Sequence, residues 1–206
     1  MSKSQLIIRY NASERSNHWA VAITFILLAL SGLALFHPAF FFLTNLFGGG
    51  VWTRILHPFI GVVLFGFFVY MAWRFAPHNR VTDADREWLT HIKDVVINKH
   101  ENLPEVGKYN AGQKYLFWSL VVCIPLLFVT GVIIWQPYFA PWMPVTLLRL
   151  AVLLHALAAF VSIAGILLHI YAAIWVTGTL GAMTRGTVTR AWAKHHHAGW
   201  YKDITK

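Results

Sequence analysis

Cysteine is almost absent from the sequence, since Cys123 is the only one among its 206 residues. One cysteine excludes an internal disulfide, and it excludes an iron–sulfur cluster or a cysteine-based zinc site built from this chain alone. Charged residues are scarce as well, at 12% of the sequence, where a soluble domain has roughly a quarter. Asp and Glu number eight against 17 Lys and Arg. This composition excludes a disordered protein and is untypical of a soluble one.

The positions of the charges decide what the positive balance means. A net charge of +9 suggests nucleic-acid binding when the basic residues form a patch. Here long stretches contain no charged residue, and four of them reach the ~20 residues that a helix needs to cross a bilayer. The sequence therefore predicts an all-α integral membrane protein in contact with lipid, a four-helix bundle forming one domain over 1–206, with no nucleic-acid partner. The predicted spans are about 18–36, 55–75, 115–135 and 147–176.

The segments between the spans differ in their content of Lys and Arg, which sets the orientation of a membrane protein. The N-terminal tail contains three, and the loop 76–113 and the tail 178–206 contain five each. The segments 37–53 and 137–148 contain none. The positive-inside rule therefore predicts that both termini and the loop 76–113 are cytoplasmic.

The middle loop contains an apolar pattern of helical period. Within 86–99, one stripe of a helix would carry Trp88, Leu89, Ile92, Val95 and Val96. This pattern predicts a short cytoplasmic amphipathic helix that lies on the membrane surface or on a partner.

Four histidines lie within or beside the predicted spans, namely His18, His57, His155 and His169. An imidazole in a bilayer is costly without a partner, so each is a candidate functional residue. A single such histidine is more often a hydrogen-bonded packing residue than a ligand. The predicted orientation, however, places His57 with His155 towards the outer face and His18 with His169 towards the cytoplasmic face. A random scatter would rarely give two pairs at matching depth.

The spacing on the fourth span gives these pairs a chemical meaning. His155 and His169 are 14 residues apart, which is about 21 Å along a helix and about 40° from eclipsed. One helix then offers a ligand to each of two stacked planar cofactors, as bis-histidine haem requires. Zinc fits less well, because two histidines are too few and the spans contain no carboxylate. The sequence predicts two haems, an outer one on His57 and His155 and an inner one on His18 and His169.

Other residues in and near the spans give weaker signals. Arg54 lies one turn before His57 and is a candidate partner for haem propionates. Five glycines within the spans either leave room for a macrocycle or allow close helix packing: Gly32, Gly61, Gly66, Gly131 and Gly165. The remaining histidines are interpreted as loop residues rather than metal ligands: His37, His78, His91, His100 and the run 195–197.

Long, ordered motifs resemble the cytochrome b (gamma) subunit of membrane-bound respiratory formate dehydrogenase. The resemblance extends from Arg9 to about Tyr201. It rests on ERSNHW (14–19), RILHPFIGV (54–62), GKYNAGQK (107–114), TGVIIWQPYFAP (130–141), LLHA (153–156), LHIYAAIWVTGT (168–179) and AWAKHH (191–196). Related diheme cytochromes of nickel–iron hydrogenases share four spans and membrane histidines, and GKYNAGQK favours the formate dehydrogenase branch.

The resemblance implies partners and a direction of electron flow. A molybdenum or tungsten (alpha) subunit would oxidise formate outside the bacterial inner membrane, and an iron–sulfur (beta) subunit would pass electrons inward. The electrons would enter two b haems, the outer before the inner, and reduce a quinone (menaquinone or ubiquinone) at the cytoplasmic side. Proton uptake there would contribute to a proton-motive force. The family also suggests a trimer of heterotrimers.

For the quinone, the resemblance points to GKYNAGQK at the cytoplasmic entrance to the third span. It implies that the amides of Asn110 and Gln113 hydrogen-bond a quinone carbonyl. Gly112 would permit close approach of the ring, and His169 would reach it from the haem side. Considered without the family, the same residues are only a turn followed by the start of a helix.

Two alternatives stay open at this point. One keeps the haems and changes the electron donor, as in a hydrogenase or another respiratory oxidoreductase. The other is a haem-free membrane anchor, or a small transporter that uses its histidines as a proton relay, and it predicts no Soret band.

Overall fold

The computed structural model describes residues 6–96 and 104–206 of the chain. In chain order its strands and α-helices are β1 (Leu6–Ile8), α1 (Ala12–Phe36), α2 (Gly50–Phe75), α3 (Asp83–Thr90), α4 (Ile92–Val96), α5 (Ala111–Ile133), α6 (Val145–Trp175), α7 (Thr179–Thr184), β2 (Thr187–Thr189), α8 (Arg190–His196) and α9 (Ala198–Thr205). Short 3₁₀ helices span Pro38–Phe47, Ala76–Asn79 and Ala140–Trp142.

Four of these helices are long and apolar enough to cross a membrane, namely α1, α2, α5 and α6. Their surfaces are apolar far from the helix ends: Val122 on α5 is 65% exposed and Phe160 on α6 is 72% exposed. Such surface is costly in water and suits a lipid environment. The predicted all-α architecture with four spanning helices is confirmed.

The helices that contain the predicted spans all begin before those spans do. α1 begins at Ala12, and α2 begins at Gly50. At the start of α1, the backbone N–H of Glu14 donates to Asn11 Oδ1 and the backbone N–H of Asn11 donates to Glu14 Oε2, both at 2.8 Å. This reciprocal pair is a capping box, which satisfies backbone donors and lets a helix begin among polar residues. Apolarity alone therefore placed the start too late.

The described residues form two compact units. The span unit consists of residues 16–71 and 119–167, and it contains most of the four long helices. The terminal unit consists of residues 6–15, 72–96, 104–118 and 168–206.

The span unit is packed by aromatic rings and by a few buried polar groups. Phe65 of α2 stacks on Phe128 of α5, with ring centroids 4.1 Å apart. The buried Asn17 of α1 donates through Nδ2 to the carbonyl oxygen of Phe67, at 3.1 Å. These contacts join α1 and α5 to α2 within one unit.

The terminal unit contains a two-stranded sheet that the sequence did not predict. β1 and β2 are antiparallel, with Leu6 opposite Thr189 and Ile8 opposite Thr187. Each strand has only three residues, and its partner lies near the other end of the chain. No local sequence pattern therefore predicts the pair. The tail 178–206 contains α7, β2, α8 and α9, which follow one another there.

The predicted helix over 86–99 is instead two short helices, α3 and α4, separated at His91. Trp88 and Asp85 on α3 are both 6% exposed, whereas Leu89 and Ile92 are 38% and 45% exposed. The apolar stripe is therefore divided between the inside of the terminal unit and its surface. Residues 97–99 lie outside the described residues.

An ion pair explains why α3 docks on the protein. Lys114 Nζ on α5 lies 2.7 Å from Asp85 Oδ2, which also accepts from the backbone and hydroxyl of Thr82. Burial raises the pKa of Asp85, but the hydrogen bonds from Lys114 and Thr82 outweigh it and leave the pKa below its ordinary value. The carboxylate is therefore charged at neutral pH and fixes α3 against the first turns of α5.

Candidate functional site

The span unit brings together His57 of α2 and His155 of α6, the histidines predicted as the outer pair. Their ring centroids are 6.4 Å apart and their planes are inclined at 64°. Both side chains are half-buried. Two imidazoles from different helices of this unit therefore lie next to each other.

A serine lies at the ring of His57. Ser31 of α1 is fully buried, and its Oγ lies 2.7 Å from His57 Nδ1. The same Oγ lies 2.8 Å from the carbonyl oxygen of Leu27, to which the hydroxyl can donate. When it does so, Ser31 Oγ accepts from Nδ1–H of His57, because a hydroxyl has one hydrogen. The lone pair of the ring is then on Nε2, the state in which an imidazole binds a metal.

A threonine does the same for His155. Thr130 of α5 is 3% exposed, and its Oγ1 lies 3.0 Å from His155 Nδ1. Its hydroxyl donates to the carbonyl oxygen of Leu126, at 2.6 Å. With the hydroxyl donating there, Nδ1–H of His155 is the donor and Nε2 carries the free lone pair. Each of the two histidines therefore has a hydroxyl beside its Nδ1.

A glycine follows each of these hydroxyl residues and lies against the same imidazole. A Cβ on Gly32 would be 3.3 Å from His57 Cε1, and one on Gly131 would be 3.4 Å from His155 Cε1. At both positions the absence of a side chain leaves space beside a histidine ring. A Cβ on Gly61 or Gly66 would meet nothing within 4 Å.

The spacing of the rings fits a metal held between them. A metal about 2 Å from one nitrogen of each imidazole sets opposed ring centroids about 6 Å apart. The observed 6.4 Å matches that span. Within the described residues no group of three or more His, Cys, Asp and Glu side chains converges. A donor set of two histidines would suit a haem, whose macrocycle supplies the other ligands of its iron.

Ser31→Ala tests the role of the hydroxyl. Without its acceptor, His57 loses the bond that orients the ring and raises the basicity of Nε2. Changes of this kind typically weaken metal binding by about 10–100-fold. We expect the outer haem to be lost faster to a haem-scavenging apoprotein and its midpoint potential to rise.

Thr24→Val is the matched control for that experiment. Thr24 lies on the same helix, and its hydroxyl donates to the carbonyl oxygens of Ala20 and Val21. We expect this variant to keep the haem retention and potential of the unchanged protein. Equal haem loss in both variants would mean that the hydroxyls only stabilise α1.

The other predicted ligands lie on the expected helices. His18 is on α1 in the span unit, and His169 is on α6 in the terminal unit; both are half-buried. α6 is one uninterrupted helix that contains both His155 and His169. Arg54 is exposed in the second turn of α2, three residues before His57. The pairing of His18 with His169 and the role of Arg54 stay predictions.

The predicted quinone residues form the start of α5. The backbone N–H of Gln113 donates to Asn110 Oδ1 at 2.9 Å, and the backbone N–H of Asn110 donates to Gln113 Oε1 at 3.0 Å. This is a second capping box. The amide oxygens are thus occupied, whereas no hydrogen bond among the described residues uses Asn110 Nδ2 or Gln113 Nε2. A Cβ on Gly112 would meet the indole of Trp88 at 3.7 Å, so that ring already packs beside the backbone there.

Comparison with known proteins identifies the family of the chain. Residues 9–186 match the family described as prokaryotic cytochrome b561. The chain belongs to this cytochrome family. The cytochrome is 46% identical over 206 residues to the formate dehydrogenase cytochrome b556(fdo) subunit of Escherichia coli K12, covering 100% of this chain and 97% of that protein.

Two further relatives of the cytochrome have the same kind of name. The nitrate-inducible formate dehydrogenase cytochrome b556(Fdn) subunit of E. coli K12 is 46% identical, with 100% of this chain and 95% of that protein covered. The formate dehydrogenase cytochrome b556 subunit of Haemophilus influenzae is 38% identical over 203 residues, with 98% and 85% covered. The resemblance to formate dehydrogenase cytochrome b subunits is confirmed.

The histidines interpreted as loop residues have varied places. His37 caps the 3₁₀ helix Pro38–Phe47, where its Nδ1 accepts from the backbone of Ala39 at 3.2 Å, and His78 lies in the next 3₁₀ helix. His91 lies between α3 and α4, and His100 falls outside the described residues. The loop interpretation is wrong for His195 and His196, which belong to α8, and His197 beyond them is only 3% exposed.

Proposed function

We propose that the cytochrome binds two b-type haems and carries electrons from an iron–sulfur subunit of a formate dehydrogenase to a quinone. The outer haem is held by His57 and His155 and the inner haem by His18 and His169. The observation that carries the proposal is the pair of neighbouring imidazoles in the span unit, each with a hydroxyl beside Nδ1, which leaves Nε2 available when Nδ1 is the donor. A haem-free anchor has no need for this arrangement.

The residues of the chain have distinct tasks in this proposal. Bound haem b supplies a carrier that accepts and releases one electron at a time. Nε2 of His57 and of His155 would hold the outer haem, and Ser31 and Thr130 hold the two rings in place. Arg54, at the outer end of α2, is a partner for propionate groups, because a guanidinium forms strong charge-assisted bonds to carboxylates. Apolar helices around the rings exclude water.

For the quinone, the proposal places a carbonyl oxygen at the start of α5. Asn110 and Gln113 keep their amide oxygens in the capping box and offer Nδ2 and Nε2 as donors to the ligand. His169 lies in the same terminal unit and is proposed to face the ring, and Gly112 lies on the same turn. The quinone is menaquinone or ubiquinone.

The charge pattern supports a proposed orientation in the membrane, and the relatives support proposed partner subunits. The Lys- and Arg-rich terminal unit is proposed to lie on the cytoplasmic side of the bacterial inner membrane. The formate-oxidising alpha subunit, with molybdenum or tungsten, and the iron–sulfur beta subunit are proposed on the outer side, in a trimer of heterotrimers. Quinone reduction at the cytoplasmic face then takes up protons there and contributes to a proton-motive force.

Haem extraction from the purified complex, followed by a reduced-minus-oxidised spectrum, tests the proposal. We expect two protohaems per cytochrome chain and a b-type alpha band that develops when formate is added. Reduction by hydrogen but not by formate would replace the donor with a hydrogenase. A folded, complex-forming chain without a Soret band would leave only the anchor or transporter alternatives.

A further inference from the structure

Three consecutive backbone carbonyls just before the proposed quinone turn are held by residues from the two ends of the chain. The oxygen of Val106 accepts from the backbone N–H groups of Gly199 and Trp200 at the start of α9, at 3.0 and 3.4 Å. The carbonyl oxygens of Gly107 and Lys108 accept from the side chains of His197 and Arg9. This segment lies outside the regular helices, so its conformation depends on these bonds.

His197 and Arg9 supply the other two bonds. Nδ1 of His197 lies 2.7 Å from the carbonyl oxygen of Gly107, and a guanidinium N–H of Arg9 donates to the carbonyl oxygen of Lys108. The same guanidinium lies 3.2 Å from Nε2 of His197. Because a carbonyl can only accept, Nδ1 carries the hydrogen and Nε2 accepts from Arg9. Burial and the neighbouring Arg9 charge lower the pKa of His197 to about 3, so it stays neutral at physiological pH.

Arg9 is a buried cation in an aromatic enclosure. It is 5% exposed, and its guanidinium carbon lies 4.7 Å from the ring centroid of Trp200, 5.0 Å from that of Trp192 and 5.7 Å from that of Tyr10. A buried charge is costly unless it is well bonded, and contacts with aromatic faces lower that cost. The free-energy cost of burying this charge indicates that the residues around Arg9 need to be held in a fixed arrangement.

Glycine at position 199 makes the contact with Val106 possible. A Cβ there would lie 3.1 Å from the carbonyl oxygen of Val106. A side chain at this position would therefore press on the segment 106–108, and glycine avoids that contact.

The held segment leads directly into the capping box of Asn110 and Gln113. Two residues separate Gly107 from Asn110, and one of them, Tyr109, packs edge-on against Phe75, with ring centroids 6.4 Å apart. The segment 107–113 is therefore held at both of its ends, and this sets the direction in which the amides of Asn110 and Gln113 point. At one end it joins the helix α5, and at the other it is held by the bonds from Arg9, His197 and α9.

We propose that His197, with Arg9 and the first turn of α9, is the positioning device of the quinone turn, so that the C-terminal tail sets the affinity for quinone. This inference rests on the proposed quinone site and deepens it. His197 is a positioning residue in this proposal and does not touch the quinone. Misplacement of a binding group by about 1 Å costs up to about 100-fold in function.

The test uses the purified complex with formate as donor and a short-chain naphthoquinone as acceptor. We expect His197→Ala to raise the KM for the naphthoquinone about tenfold or more. Haem content and the rate of haem reduction by formate without quinone stay unchanged, and amide hydrogen exchange in 107–113 becomes faster. His197→Asn places a donor nitrogen near the original Nδ1 and restores most of the affinity. His195→Ala, on the exposed part of α8, is the matched control and leaves the KM unchanged.

Each other result has a definite meaning when Gln113→Glu is measured alongside. A raised KM in Gln113→Glu with an unchanged KM in His197→Ala overturns the positioning role and leaves the quinone site in place. Unchanged KM values in both variants contradict the quinone site itself. Loss of haem or of folded protein in both His197→Ala and His197→Asn overturns the proposal in favour of a purely structural residue.

Discussion

His57→Ala is expected to leave one haem per chain in place of two and to block electron transfer from formate to quinone. Loss of the hydrogen-bond partner of a metal-binding histidine already weakens metal binding by about 10–100-fold, so loss of the histidine itself is expected to weaken it more than that. We expect formate-to-quinone activity to fall at least about 100-fold. The inner haem remains reducible by dithionite but no longer by formate. Haem extraction and formate-dependent spectra measure both effects.

His37→Ala is the matched control for this experiment. His37 lies at the end of α1, on the side where the electrons are proposed to enter, and it is exposed and caps a 3₁₀ helix. It is expected to keep both haems and full activity. A His57→Ala protein that still transfers electrons from formate at the normal rate would show that the outer pair is not on the route.

Gln113→Ala and Gln113→Glu are expected to separate the two tasks of this side chain. The alanine variant removes both the cap of α5 and the donor Nε2, whereas the glutamate variant keeps an oxygen for the backbone N–H of Asn110 and replaces the donor with a charged acceptor oxygen. One hydrogen bond to a ligand is worth on the order of 1.4 kcal/mol, or tenfold in binding. We expect the KM for quinone to rise about tenfold or more in both variants.

The comparison of the two variants is the decisive part of that experiment. Haem content and haem reduction by formate are expected to stay normal in Gln113→Glu. If the KM rises in Gln113→Ala alone, the side chain acts only as a helix cap. Asn110→Asp provides an independent check, because it keeps the Oδ1 cap on Gln113 and removes Nδ2.

The four spans and the outer histidine pair were predictable because each leaves a local signal. Missing charge marks the spans, and an imidazole in an apolar helix is conspicuous. Ser31 and Thr130, the hydroxyl partners, also leave a signal in the sequence, because the residues around them repeat at equal separations. Asn11 precedes Ser31-Gly32 by 20 residues, and Asn110 precedes Thr130-Gly131 by the same number. His57 then follows Ser31 by 26 residues and His155 follows Thr130 by 25.

The terminal unit was not predictable in the same way. Arg9 and His197 lie at opposite ends of the sequence, and each has meaning only through the other and through carbonyls near residue 107. Nothing about His197 alone distinguishes it from His195 or His196. The docking of α3 has the same origin, because Asp85 pairs with Lys114 of α5 and Trp88 lies beside Gly112 of α5.

The pairing of β1 with β2 determines when the protein can finish folding. Residues 6–8 are made before the four spans, but their partners at 187–189 are made only after them. A contact of such separation forms late, since chain closure over a long distance is entropically costly. The span unit can enter the bilayer during translation, whereas the terminal unit must wait for β2. A ribosome that stalls before Thr187 therefore leaves an inserted chain with an open terminal unit.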